Sequence, residues 1–321
     1  MNTHFRIKAD VLYNFEIKQS RYFKIILIIH SIYCILKVIL LLQTEKKEGL
    51  FMPIIKTKNG EFHYESFGQG EPILFLHGSG ASWKMWKPQI ESFSKEYQMI
   101  LLDYRGHGKS IKTFPGNVYD YDLIVSDIIS FLDTLGHTPL HVIGVSQGAI
   151  LATLVAIHHP SYVKKLVISN SYSEFPTKTS KWVLQFSNFI FSLLPYSTII
   201  DLMMKFYKHE PYTQQILRDS FSIDKKMLLM MKKAKFPVHT SLLHLIQSPT
   251  LILSGAGKVV TGVDEGKAAK TIHQHIPNST LALFQDAFDP LNVMRKDIFN
   301  EMVLDFLRDS SLHEYEEVSY G

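Results

Sequence analysis

The stretch His141–Ile150 reads HVIGVSQGAI, and its reading decides the fold. An apolar run, HVIGV, leads into Gly144-x-Ser146-x-Gly148. The chain then continues as QGAILATLVAIHHP, a helical pattern that stops at Pro160. A serine at a sharp strand-to-helix turn has its hydroxyl pushed clear of the backbone, and flanking glycines permit the close approach such a turn requires. The helix N-terminus behind it favours developing negative charge. Ser146 is therefore the candidate nucleophile.

Outward from this point, short apolar runs alternate with amphipathic stretches, the pattern of βα units around a largely parallel sheet. FHYESF (Phe62–Phe67) alternates and ends in Gly68 and Gly70, which predicts an early antiparallel strand. ILFL (Ile73–Leu76), MILL (Met99–Leu102), HVIGV, KLVIS (Lys165–Ser169), TLILS (Thr250–Ser254) and TLALF (Thr280–Phe284) predict strands covered on both faces. Val125, Ile128, Ile129 and Leu132 share one face of a helix that Gly136 stops, and Phe299, Val303, Phe306 and Leu307 mark a C-terminal helix. The last residues, SSLHEYEEVSYG, read as a solvated tail. The fold class expected is α/β, a mostly parallel central sheet flanked by helices. One interval, residues about 172–245, carries no strand signal but is rich in Phe, Leu, Met and Tyr. It is expected to form a helical cap whose inner face lines an apolar pocket.

Residues 1–51 differ from the rest. Ile25–Leu42, IILIIHSIYCILKVILLL, approaches the roughly 20 apolar residues that a membrane span takes. His30 and Lys37 weigh against it, since each is costly at mid-membrane. The competing expectation is a start of translation placed upstream of the true one, with the main domain, 52–321, opening at Met52. In a bacterial gene, Lys46-Lys47-Glu48-Gly49 is what a ribosome-binding site looks like when translated. The first reading makes the protein membrane-anchored through residues 25–42; the second makes it cytoplasmic.

Composition narrows the chemistry. Of 321 residues 46% are hydrophobic and 20% charged, which is globular usage, and a formal net charge of +4 gives no basis for nucleic-acid binding. Cys34 is the only cysteine, so an intrachain disulfide is impossible. The fifteen histidines are scattered, without CxxC or HExxH spacing, so neither a metal nor a cofactor is expected. Upstream of the serine, Leu76-His77-Gly78-Ser79-Gly80 follows a strand. The backbone N–H groups of Ser79 and Gln147 are the expected oxyanion hole, a feature typically worth about 3–4 kcal/mol. His107, in a glycine turn, is read as structural.

FLHGSGAS, LLDYRGHGKS, VIGVSQGAI and SPTLILSGAGKVV, in that order, resemble the α/β-hydrolase superfamily, in particular its cap-bearing, esterase-like serine hydrolases. The resemblance runs from about Met52 to Leu307. It implies a Ser–acid–His triad in that chain order, and ester, thioester, amide or related bonds as substrates. Two landmarks depart from the family. After TLILS, Gly257 and Lys258 stand where the acid is expected, and after TLALF the chain passes from Phe288 to Asp289 and Pro290 without a histidine. Both usual triad partners of Ser146 are therefore missing from their positions.

Substitutes remain. His239 and His244, at the end of the cap, are candidate rescuing bases, and Asp264 and Asp289 are candidate acids. Asp286 and Asp289 lie near where the imidazole should be, but a carboxylate of pKa about 4 is a poor base unless burial raises it strongly. The expectation is an α/β-fold hydrolase that acts weakly on an apolar ester-like substrate through Ser146. The alternatives are an impaired hydrolase-fold protein that binds a small apolar ligand, and a membrane-attached scaffold, for which only the leader argues.

Overall fold

The structure is a computed structural model that describes residues 54–174, 178–256 and 264–321, with the backbone alone over 178–185. Its strands are β1 (Ile54–Thr57), β2 (Gly60–Phe67), β3 (Glu71–Leu76), β4 (Tyr97–Leu102), β5 (Leu140–Val145), β6 (Val163–Ser169), β7 (Thr250–Gly255), β8 (Ser279–Phe284) and β9 (Val318–Tyr320). They form one sheet in the order β1-β2-β4-β3-β5-β6-β7-β8-β9. From β4 to β8 the neighbours run parallel, whereas β1, β2 and β9 join antiparallel.

The continuous apolar runs occupy the middle of this sheet because both faces are covered. On β3, Leu74 and Leu76 point into the same core as Val142, Leu166 and Ile168. Ile73 and Phe75 point the other way, to Ile143, Val145 and Val167. Each such side chain, fully buried, contributes roughly 1.5–3 kcal/mol, so a bare face would forfeit several of these at once.

The helices on these faces are α1 (Lys87–Phe93), α2 (Tyr121–Leu135), α3 (Gln147–His158), α8 (Glu265–His275), α9 (Leu291–Met294) and α10 (Lys296–Leu307). Asp120 caps α2 by accepting the N–H groups of Asp122 at 2.9 Å and Leu123 at 3.3 Å, and Gly136, at φ 72°, ends it. In α3 every residue from Gln147 to Ile157 is buried, as a helix apolar on all sides must be.

Between β6 and β7 lie α4 (Lys178–Leu193), α5 (Tyr196–Lys205), α6 (Pro211–Ser220), α7 (Lys225–Lys233) and a 3-10 helix over Thr240–Leu245, with no strand among the described residues. The segment after α6 is stitched to the loop after β3. Ser222 N–H donates to Gly80 O at 2.9 Å, and Ser82 Oγ donates to Ser220 O at 2.9 Å.

At the sheet edges one strand was unanticipated and one expectation needs correction. Ile54–Thr57 adds a strand that carried no apolar run. The supposed solvated tail ends in β9, which pairs with β8 and buries Val318. Both are edge strands, where one covered face is enough and apolar signal is weak. Residues 1–51, including 25–42, lie outside the described residues. Among those described, no helix is long and apolar enough to cross a membrane.

Candidate functional site

Ser146 sits at φ 55° and ψ −121°, between β5 and α3. Backbone of this kind costs a non-glycine residue on the order of 1–3 kcal/mol, so the surroundings must impose it. They do. Ser146 N–H donates to Ser169 O at 2.8 Å, and Ser146 O accepts Ala149 N–H at 3.0 Å. The flanking glycines are required by contact, because a Cβ at Gly148 would lie 2.0 Å from Leu76 O and one at Gly144 would lie 2.4 Å from Gly148 O. Side chains there would drive α3 away from the sheet and release the turn.

The loop after β3 faces the serine. A Cβ on Gly78 would stand 3.5 Å from Ser146 Cβ, and the next residue, Ser79, is exposed. Neither the Ser79 nor the Gln147 N–H is spent on a backbone acceptor among the described residues. Both are therefore free to meet an oxyanion. Gln147 is fixed by Tyr104, whose hydroxyl donates to Oε1 at 3.0 Å, and by Tyr121, whose hydroxyl accepts from Nε2 at 3.2 Å. His107 is fully buried, and burial holds its pKa well below the usual histidine value. Neutral, it accepts Gly80 N–H on Nε2 at 3.1 Å while Nδ1 faces Arg105 O at 3.1 Å. It is a prop for this loop.

The third component comes from the loop after β8. A Cβ at Gly255 would lie 1.9 Å from Ala287 O, so the loop lies directly across the end of β7, and it delivers Asp289 to Ser146. Burial pushes the Asp289 carboxyl up to about 6, against a hydrogen bond from the Ser146 side chain that pulls it down. The residue is half-buried, yet its Oδ1 is sealed from solvent and has no hydrogen-bond partner. Asp289 N–H points to Glu265 Oε1, a long contact of 3.4 Å. Glu265 Oε2 accepts from Asn170 Nδ2 at 2.8 Å, while Asn170 Oδ1 accepts Leu291 N–H at 3.2 Å and Ser169 Oγ–H at 2.8 Å. Burial first, and the neighbouring Asp289 charge second, lift Glu265 to about 7. Tyr207, just past α5, donates to Asp289 O at 2.7 Å and stacks on Phe288 with ring centres 5.5 Å apart.

Of the substitutes expected from the sequence, only Asp289 is brought to Ser146. Asp264 is an exposed helix cap that accepts Lys267 N–H at 2.9 Å at the start of α8. His239 is buried with Nδ1 at 2.6 Å from Pro237 O and its N–H on Ser173 O at 3.0 Å. It neighbours His158, at the opposite end of α3 from the serine. His244 is exposed on the 3-10 helix. The expectation that either histidine reaches Ser146 is corrected, because the last part of the cap docks on the far end of α3. Gly257 and Lys258 lie outside the described residues.

Glu265 and Asn170 were not anticipated. Their signals were present: two carboxylates, Asp264 and Glu265, open the helix after β7, and Asn170 directly follows β6, where it takes a left-handed conformation at φ 52°.

The family model of the alpha/beta hydrolase fold matches residues 71–291, from β3 through the loop that carries Asp289. The chain belongs to the alpha/beta hydrolase fold family. Among alpha/beta hydrolase relatives, human epoxide hydrolase 4 is 32% identical over 149 residues, which cover 44% of this chain and 41% of that protein. The (E)-2-((N-methylformamido)methylene)succinate hydrolase of Acinetobacter baylyi is 36% identical over 115 residues, 36% of this chain and 43% of that one. The chain thus matches less than half the length of either relative. The enol-lactonase of Burkholderia xenovorans superposes with a TM-score of 0.70 at 21% identity, over 80% of this chain and 100% of the other. That likeness concerns the fold.

Proposed function

We propose that this alpha/beta hydrolase cleaves a small or medium apolar ester-like substrate, slowly, through an acyl intermediate on Ser146. The observation that carries the reading is the imposed backbone at Ser146, with the loop of Gly78 packed against its Cβ and the N–H groups of Ser79 and Gln147 unspent on backbone acceptors among the described residues. Strain at one residue, maintained by two glycines and a strand-end hydrogen bond, has a use if the hydroxyl must be presented. The related proteins, named as hydrolases of several kinds, support hydrolysis as the class. The apolar preference rests on the cap, where Phe221 and Ile223 lie against Gly80 of the oxyanion loop. Such chemistry needs no cofactor. Slow turnover is expected because no histidine hydrogen-bonds the Ser146 side chain among the described residues, and the general-base help typically worth about 10²–10⁴-fold falls to a weaker group.

A fluorophosphonate probe tests the nucleophile, and a panel of p-nitrophenyl esters tests the substrate class. Labelling of the wild-type chain, lost in Ser146→Ala, together with faster hydrolysis of medium-chain than of charged esters, is the expected result. No labelling at any pH would overturn the reading.

A second reading, an impaired hydrolase that retains an apolar ligand, is favoured by the same missing imidazole. Stabilisation by apolar ligands in a thermal shift, with no labelling by the probe, would select it.

A further inference from the structure

We propose that Asp289 is the proton acceptor for Ser146, and that Glu265, clamped by Asn170, is a positioning residue that sets how readily Asp289 holds the proton. This rests on Ser146 being the nucleophile. Three independent features converge on the assignment.

The first is placement. Ser146 N–H rests on Ser169 O, and the next residue, Asn170, holds the Leu291 N–H two residues beyond Asp289, so the serine and the acid's loop meet at the end of β6, where the Ser146 side chain hydrogen-bonds the carboxyl. The second is the state of the carboxyl. Oδ1 is sealed from water without any partner, and an unpartnered buried oxygen costs folding energy unless something uses it. A proton arriving from the Ser146 hydroxyl would use it. The third is the clamp. Asn170 spends both ends of its amide, one on Glu265 and the other on the Leu291 N–H just beyond Asp289. One side chain thus holds the two carboxyl groups in register.

The titratable groups that face Asp289 are Glu265, from the first turn of α8, and Tyr172 and Tyr207, from the ends of the cap. Burial raises both phenols, so neither competes as a base at neutral pH. Burial raises both carboxyls into the working range, Asp289 to about 6 and Glu265 to about 7. Asp289 therefore ionises first while Glu265 keeps its proton, and a base near the operating pH is the effective kind.

The steps balance. Ser146 Oγ attacks the ester carbonyl carbon as its proton passes to the Asp289 carboxylate, and the oxyanion rests on the N–H groups of Ser79 and Gln147. Collapse breaks the C–O bond to the alcohol, which leaves with the proton from Asp289. Water then attacks the acyl-serine and gives its proton to Asp289. The carboxylic acid departs as Ser146 Oγ takes the proton back.

The test follows the rate of fluorophosphonate labelling and of p-nitrophenyl ester hydrolysis against pH, in wild type, Asp289→Asn, Glu265→Gln and Ser146→Ala. In wild type the rate should rise through about pH 6, with a second change near 7. Asp289→Asn should lose about 10²-fold or more while circular dichroism shows a folded chain. Glu265→Gln, which mimics the protonated neighbour, should keep the rise near 6 and lack the change near 7. Wild-type rates in Asp289→Asn, or superimposable wild-type and Glu265→Gln profiles, would overturn the proposal. Should Asp289→Asn fail to fold, a wild-type rate that is flat between about pH 5 and 8 overturns it. Activity surviving in Ser146→Ala would instead sink the nucleophile reading, whatever the carboxyl variants do.

Discussion

Asn170 Nδ2 donates to Glu265 Oε2 at 2.8 Å and so ties the end of β6 to the first turn of α8. The bond holds a carboxyl where its ionisation and that of Asp289 oppose each other. A fold optimised for stability alone would have no use for two such acids, and the opposition has consequences away from catalysis.

Stability should fall as pH rises. Both folded-state pKa values lie above the ordinary 3.8 and 4.5, at about 6 and about 7. The folded chain therefore binds more protons than the unfolded chain in this window. The stabilisation is fully present below the unfolded values and is lost as pH climbs through 6 and 7. Asp289→Asn and Glu265→Gln should each be more stable than wild type by about 1–3 kcal/mol near pH 8, and nearly equal to it near pH 4. Urea unfolding at the two pH values measures this; equal gains at both would count against it.

Asp289→His should raise the proposed esterase rate. An imidazole titrates near neutral pH and supplies a stronger base than the carboxylate. An increase in kcat/KM of about 10-fold or more for p-nitrophenyl esters is expected, and a rate at or below wild type would show that an imidazole at this position does not reach the hydroxyl.

The elbow supplies a separate prediction. Ser146→Ala keeps a Cβ at φ 55° and with it the strain, whereas Ser146→Gly removes both. The glycine variant should be about 1 kcal/mol more stable than the alanine variant, and both should be refractory to the fluorophosphonate. Identical melting temperatures would mean that the turn is not strained.

Away from the site, Arg105 and Asp127 form a buried pair, with Nε to Oδ2 at 2.5 Å and Nη2 to Oδ1 at 3.0 Å. The guanidinium also donates to Thr113 O at 2.7 Å and Asn59 O at 2.8 Å. Asp127→Ala strands that cation and should cost about 3–5 kcal/mol. Labelling of Ser146 per folded molecule should not change. Calorimetry and the probe check the two halves independently.

The sheet centre was legible because burial on both faces writes continuous apolar runs, and Ser146 because glycine spacing reports backbone contact. β1 and β9 were not, since an edge strand with one covered face leaves a weak trace. The proposed acceptor was partly legible. Asp289 stood among the candidates but looked too acidic, because burial, which lifts it to about 6, is a property of the packed loop and not of the residue. Asp264 was named as a candidate, and Glu265, one position on, was not. On a helix one residue is about 100° of rotation, and it separates an exposed cap from a buried partner. His239 and His244 were drawn in by residue type, while the direction in which the cap docks is set by contacts remote in sequence.

Three residues at the end of the sheet carry one more implication. Val318, Ser319 and Tyr320 pair with Phe284, Leu283 and Ala282, and Glu316 and Glu317 stand just ahead of them. An uncovered β8 would present a row of unpaired donors and acceptors on which a second chain could grow. Cleavage by a contaminating protease after Tyr315 would thus leave the elbow at Ser146 in place but remove the guard against fibre growth. The damage would be visible as turbidity on storage well before any change at that elbow.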